Sequence, residues 1–277
     1  MRFRSAVLGV FLAASAVSPP AAAEIFDNSF FIEEAYNQEA GVVQHVQTFH
    51  WTREREGGSE ERGFSYGFTQ EWPVGGQRHQ LSYTIPYERV FGDQPHVDGI
   101  GDVQLHLRYQ ALMESPVRPA FAPRLTVILP TGDEDRGLGA GSMGLQTNLP
   151  FSKAMDRIHL HANAGATFFP GARVTLPSGQ RSDRRDLVST NLGFSVIWLL
   201  SGRLHALFEF VTEVEESLDD TGSEEESARV LASPGLRFAI DRKDGAQWVL
   251  GAAAPFGVNE AEDDAGVFLY LSFEHGF

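Results

Sequence analysis

The stretch Val103-Gln104-Leu105-His106-Leu107-Arg108-Tyr109-Gln110-Ala111 decides the fold. Every second residue, starting at Val103, is apolar or aromatic, and the residues between are Gln, His, Arg and Gln. A side-chain period of two belongs to a β-strand, whose successive residues point to opposite faces. One face here is apolar and the other is charged or hydrogen-bonding. The pattern returns in Ile158-His159-Leu160-His161-Ala162-Asn163-Ala164-Gly165-Ala166-Thr167-Phe168. It returns again in Leu204-His205-Ala206-Leu207-Phe208-Glu209-Phe210, which continues to Glu213 and Glu215.

Working outward, the alternation predicts strands at 41–54, 62–73, 78–91, 101–113, 119–131, 141–152, 158–169, 187–200, 203–216, 227–240, 246–258 and 266–277. Gly, Pro, Asp, Asn and Ser separate them, as turn chemistry requires. Short connections (73–77, 114–118, 153–157, 201–202, 241–245) alternate with longer ones (55–61, 92–100, 132–140, 170–186, 216–226, 259–265). Short turns on one side and long loops on the other mark an outer-membrane barrel, whose short side faces the periplasm. The expected fold is therefore all-β, a transmembrane antiparallel up-and-down β-barrel of twelve strands over 41–277, with both termini periplasmic.

A soluble sandwich also alternates. Against it stand charged residues in mid-strand, at Arg108, Arg124, Glu209 and Arg237, which a wet lumen tolerates. The strands are also long, and a tilted membrane crossing takes roughly 9–11 residues. A lipid-facing sheet cannot leave edge N–H and C=O groups unpaired, so the first and last strands should pair. The chain closes on Leu269-Tyr270-Leu271-Ser272-Phe273-Glu274-His275-Gly276-Phe277. Phe273 and the terminal Phe277 resemble the signal read by the barrel-assembly machinery, with His275 where an aromatic is usual.

The first residues read differently. Arg2 and Arg4, the apolar run Ala6 to Val17 and Ala21-Ala22-Ala23 before Glu24 form a signal peptide over 1–23. An uncleaved anchor is the alternative. A lipoprotein is excluded, since there is no Cys, and thiolate metal sites and Cys nucleophiles go with it. The net charge of -15 argues against nucleic acid as a partner. Acidic residues gather in the long connections, at Glu56, Glu60 and Glu61, from Glu215 to Glu226, and from Glu260 to Asp264. They read either as a solvated surface or as a holder of cations bridging to lipopolysaccharide. Residues 24–40 read as a periplasmic tail or as a segment inserting into the lumen.

The order of Ile85-Pro86-Tyr87, Gly99-Ile100-Gly101-Asp102-Val103, Leu129-Pro130-Thr131-Gly132-Asp133 and Pro255-Phe256-Gly257 carries a family resemblance. So does Ile32-Glu33-Glu34-Ala35-Tyr36-Asn37-Gln38 followed by Gly41-Val42-Val43-Gln44. Together they resemble the outer-membrane barrel transporters named for the meta-cleavage pathway of phenol degradation. The resemblance implies an outer-membrane barrel that passes small, hydrophobic or aromatic compounds. It carries over no functional residues.

Alternation places Gln104, His106, Arg108, Gln110, Arg124, Gln146, Asn148, His159, His161, Asn163, Glu209, Glu213, Arg229, Arg237, Tyr270 and Glu274 on the lumen side. They are candidates for solute contact or for a salt-bridge network across the barrel. His159 and His161 share a face at a spacing that suits one metal, but plain lumen lining explains them and no metal is assigned. His159, His161 and Asn163 with Ser189 or Ser195 supply hydrolase residue types. Neither Ser189 nor Ser195 sits in a Gly-x-Ser-x-Gly elbow, so no catalytic residues are assigned. Gly99-Ile100-Gly101 lacks the third Gly of a dinucleotide loop, and no cofactor is expected. The function expected is passage or uptake of a small-molecule solute through the outer membrane of a Gram-negative bacterium. The partners are lipid, lipopolysaccharide, the barrel-assembly machinery and periplasmic chaperones. The alternatives are a structural or adhesion barrel and a barrel-embedded hydrolase.

Overall fold

The computed structural model describes residue 25 and residues 28–56, 59–91, 96–176, 178–219, 221–259 and 264–277. The signal-peptide assignment to 1–23 lies outside them. Twelve strands follow in order: β1 (Val42–Glu56), β2 (Ser59–Val74), β3 (His79–Phe91), β4 (Val97–Ile100 and Gln104–Tyr109), β5 (Ala120–Phe121 and Arg124–Ile128) and β6 (Gly144–Asn148 and Phe151–Met155). Then come β7 (Ile158–Ala172), β8 (Arg185–Leu199), β9 (Leu204–Leu218), β10 (Glu224–Asp241), β11 (Gln247–Ala253 and Phe256–Gly257) and β12 (Ala265–Gly276). Each pairs antiparallel with its neighbours in sequence. The ring closes where β1 pairs with β12, from Val42 opposite Gly276 to Arg53 opposite Ala265. This is the closed all-β transmembrane barrel that the alternation predicts, and closure removes the edges that lipid cannot solvate.

The two faces sort as the pattern requires. Leu105, Leu107, Leu192, Phe194, Phe208, Phe238 and Leu250 are exposed on the outside. Between them His106, Arg108, Ser195, Glu209 and Arg237 are buried on the inside. Among the described residues no helix is long and apolar enough to cross a membrane; the strands cross. Near the rim that carries the C-terminus, Trp248 stacks on Phe273 at 4.3 Å and Trp72 packs with Tyr83 at 5.5 Å. Such rings form the girdle expected at a membrane interface.

The strand bounds differ from the sequence reading in six places. The two strands run into the connection expected at 55–61, where the ladder continues through Arg55 opposite Glu60 to Glu56 opposite Ser59. Charge does not end a strand that has risen into water, since the ladder bonds are made by the backbone. β4 is interrupted at 101–103, where Asp102 turns to accept hydrogen bonds from Gly132 N–H (2.8 Å) and Ala140 N–H (3.0 Å). β5 and β6 break around Pro123 and Pro150, and β11 around Pro255, since proline donates nothing to a ladder. Strand five ends at Ile128 and strand six begins at Gly144, so the outer connection there runs from 129 to 143 and includes a short 3-10 turn, Glu134–Arg136.

Among the acidic residues of the outer connections, Asp219 accepts hydrogen bonds from the Thr221 and Ser223 N–H groups within its own turn. Exposed hydrogen bonds to Thr221 and Ser223 hold its carboxyl below the usual range.

Leu192 lies at the middle of β8 and faces out, while Ser189 faces in. Leu192→Arg is expected to destabilise the barrel by about 2–4 kcal/mol at the bilayer midplane. Ser189→Arg should leave it folded. Heat-modifiable gel mobility of the two variants separates them.

Candidate functional site in the lumen

The inner face carries charges with almost no water contact, and their partners come from the segment before β1. Glu209 on β9 is fully buried. Its Oε1 accepts hydrogen bonds from three consecutive backbone N–H groups: Phe30 (3.0 Å), Phe31 (2.8 Å) and Ile32 (3.0 Å). Convergent N–H groups of this kind form a nest for an anion. Arg237 on β10 donates to Asn28 O at 2.9 Å, to Ile25 O at 3.4 Å and to His205 Nδ1 at 3.3 Å. Ser29 Oγ meets Ser195 Oγ on β8 at 2.6 Å.

Further along the segment, Arg108 on β4 takes over. It donates to Glu34 O (3.2 Å), Tyr36 O (2.7 Å), Asn37 Oδ1 (2.9 Å) and Gln80 Oε1 (3.0 Å). Gln110 brackets the same turn: its amide donates to Ala35 O at 2.8 Å and accepts from Asn37 N–H at 3.0 Å. Ser152 Oγ accepts from Ala35 N–H at 2.7 Å, and Gln80 Oε1 accepts from Gln38 N–H at 2.8 Å. A chain without regular structure can lie buried only if its backbone groups are paired. Here the barrel wall pairs them.

Apolar packing fixes the depth. Ile25 and Phe30 join Val46, Ile197, Leu207, Val249, Phe268 and Tyr270 in one buried cluster. Phe30 fits because β11 presents a glycine: a Cβ on Gly251 would come within 2.4 Å of its ring. Gly193 on β8 makes the same allowance for Ile32, at 2.0 Å.

The residues assigned to the lumen from sequence have the following places. Arg108, Glu209 and Arg237 hold the segment as described. Arg124 forms an ion pair with Glu33 at 2.5 Å, and Asn163 donates to Glu33 O at 3.3 Å. Tyr270 packs on Phe30 at 5.7 Å, and Glu274 accepts from Gln38 Nε2 at 3.4 Å. His106 links Thr84 (3.0 Å) and Thr126 (2.8 Å), tying β3, β4 and β5 together. His161 bonds Ser152 at 2.7 Å and His159 is buried beside it on β7; among the described residues no group of three or more His, Asp or Glu is placed to hold a metal ion. Gln104 is partly buried on the His106 face of β4. Arg229 lies 4.0 Å from Asp264 toward the loop side. Phe273 faces outward against Trp248, and the Phe277 N–H bonds Gly41 O at 2.9 Å with the ring exposed.

The sequence reading missed Ser29, Glu33, Gln80, Ser152 and His205. Alternation could have placed Gln80, Ser152 and His205 inside, but nothing local shows that the partners of Gln80 and Ser152 lie in the segment before β1.

The segment lies between two cavities. One, of about 470 Å³, opens at the rim of the C-terminus and is lined by Glu34, Tyr36, Asn37 and Gln38 with Gln247 and Glu274. The other, of about 350 Å³, lies toward the loops and is lined by Phe31 and Glu33 with Asn148, Asn163 and Glu213. At the terminal rim, Glu114 Oε1 accepts from Lys153 Nζ at 2.7 Å and Ala154 N–H at 3.0 Å, and its second oxygen accepts from Tyr36 OH. Partial burial raises this carboxyl's pKa, but the bonds from Lys153, Tyr36 and Ala154 outweigh it and hold the group below its ordinary range.

No family model and no curated protein matches the chain. Solved structures share its fold. An outer-membrane channel from Pseudomonas putida F1 superposes with a TM-score of 0.65 at 11% identity, over 88% of this chain and 98% of that one. The translocator domain of the autotransporter NalP from Neisseria meningitidis gives 0.55 at 10% identity, over 87% and 90%. The transport unit of the autotransporter AIDA-I from Escherichia coli gives 0.53 at 9% identity, over 90% and 95%. At these identities the likeness is one of fold, and the fold is that of Gram-negative outer-membrane barrels.

Glu114→Ala should loosen the segment where Tyr36 anchors it. A hydrogen bond to a charged group is worth about 1.5–3 kcal/mol, so amide exchange at Ala35 and Asn37 is expected to quicken by at least about tenfold. Because the folded-state pKa is lowered, this anchoring is present above the ordinary carboxylate range and is lost as pH falls through the lowered value. Once exchange is expressed relative to the intrinsic rate at each pH, acidification should therefore lower protection at Ala35 and Asn37 in the wild type and leave that of the variant unchanged.

Proposed function

We propose that the protein is an outer-membrane channel of a Gram-negative bacterium, closed by its own N-terminal segment, through which a small molecule is taken up. The observation that carries this reading is that Arg108, Arg237 and Gln110 donate to the backbone carbonyls of Tyr36, Asn28 and Ala35 while Glu209 accepts from the backbone N–H of Ile32. A purely structural barrel would fill its lumen with side chains from its own wall. This one is filled by a separate strand of chain held mainly through polar contacts, which water or a solute can replace when the segment moves.

In this reading the rim of the termini faces the periplasm and the 129–143 connection faces outward. The outward leucines and aromatics sit in lipid, with lipopolysaccharide around the loops. Phe273 and Phe277 are the residues offered to the assembly machinery and periplasmic chaperones. The resemblance to phenol-pathway transporters implies an apolar or aromatic solute. Of the lumen's aromatic rings, however, Phe268 and Tyr270 are already covered by Phe30 and Phe31, and Phe169 alone is added on the wall of the loop-side cavity. The remaining lining is largely amide and hydroxyl, which suits a small polar solute better. No catalytic role is proposed: Ser195 bonds Ser29, and Ser152 is engaged with both Ala35 and His161.

Single-channel recordings in planar bilayers test the reading. The mature full-length chain should be closed or pass current only in brief openings. Deletion of residues 24–40 should give steady conductance. Equal, steady conductance in both forms contradicts the plug, and none in either contradicts the channel.

A further inference from the structure

The wall of the lumen reads the segment by its main chain. Residues 28–38 form neither helix nor strand, so their N–H and C=O groups are left to the wall. The N–H groups of Phe30, Phe31 and Ile32 go to Glu209, that of Ala35 to Ser152 and that of Asn37 to Gln110. The carbonyls of Asn28, Glu34, Ala35 and Tyr36 accept from Arg237, Arg108 and Gln110. A helix seated in the lumen would have paired these groups within itself. Here an irregular chain is held through groups that every peptide bond carries, whatever its side chains.

Two recesses add a preference for side chains. Phe30 enters one, beside Phe268 and Tyr270, where a Cβ on Gly235 or Gly251 would strike its ring. Ile32 enters the other, at Gly193. The grip also spans the lumen. Arg108 on β4 and Arg237 on β10 stand six strands apart in a ring of twelve, on opposite sides of the barrel. One chain serves both because its carbonyls are spread along it. A single-ring solute has neither that spread nor a side chain for each recess.

From this pairing, and resting on the channel reading above, we infer that the solute is itself a short extended peptide, and that residues 28–38 hold its track as a tethered competitor. The peptide that takes their place offers adjacent N–H groups to Glu209 and carbonyls to Arg108 and Arg237. It carries an aromatic side chain two residues before an aliphatic one. Room remains for a peptide longer than the segment, in the cavities of about 350 and 470 Å³ on either side of it.

Uptake into proteoliposomes holding the full chain tests the inference. The probe is fluorescent Gly-Ser-Phe-Gly-Ile-Gly-Ser, compared with the same peptide N-methylated at its Phe, central Gly and Ile amides. The unmodified peptide should enter saturably. At about ten times its dissociation constant it should also quicken amide exchange at Ala35 and Asn37 about tenfold, because by mass action it keeps the segment off the track. The N-methylated peptide, with three donors gone, should do both at least about tenfold less well. Equal entry of the two peptides overturns the inference, as does entry without faster exchange or faster exchange without entry. Exclusion of both peptides by a chain that conducts once residues 24–40 are deleted overturns this inference alone. Exclusion with no conductance in that form overturns the channel reading as well.

Discussion

A carboxylate with no exposed surface, Glu209, receives three successive backbone N–H groups, and the arrangement of the lumen depends on that contact. A lone charge at this depth would be costly, and burial alone would expel it or neutralise it. The Phe30–Ile32 turn supplies three donors to one of the two Glu209 oxygens, Oε1. The reciprocal debt is met too, because the turn has no ladder of its own and needs acceptors. Arg108 and Arg237 play the converse part, donating to backbone carbonyls on either side of that turn. The wall and the segment are therefore each incompletely satisfied without the other.

The same separation of roles explains how the lumen is divided. Apolar contact is concentrated at one place, where Phe30 enters the space above Gly251 and meets Phe268 and Tyr270. Polar contact covers the rest. Shape at the glycines sets where the segment can sit, and hydrogen bonds set which way it runs. The motifs that carry the family resemblance serve a different end. Asp102 of the Gly-Ile-Gly-Asp stretch accepts from Gly132 of the Leu-Pro-Thr-Gly-Asp stretch and from Ala140, so the two motifs interlock and tie the 129–143 connection to β4.

Much of this was legible in the sequence. Period-two alternation placed His106, Arg108, Glu209 and Arg237 on one face because a strand has only two faces, and one of them must meet lipid. It could not name the segment partners of the last three, which lie 71 to 212 residues away in sequence and show no periodicity. Strand ends were the other weak point. The β1–β2 hairpin runs on through charged residues, because above the membrane a ladder is indifferent to side-chain charge. The breaks at Pro123 and Pro150 fall inside stretches whose alternation looks continuous, because an apolar proline keeps the pattern while removing a donor. The loop-side cavity was half visible: Gln146, Asn148 and Asn163 were assigned inward, but Phe31 and Glu33, which also line it, belong to the segment without periodicity.

The central claim is that the segment must leave its place for solute to pass. The natural chain has no cysteine, and the Oγ atoms of Ser29 and Ser195 lie 2.6 Å apart, so the double variant S29C/S195C offers a single disulfide between segment and wall. Single-channel current should be abolished when this pair is oxidised and return when a reductant opens it, with the uncrosslinked single variants insensitive to both treatments. Unchanged current in the fully oxidised protein would mean that solute passes with the segment in place, and the account would be wrong.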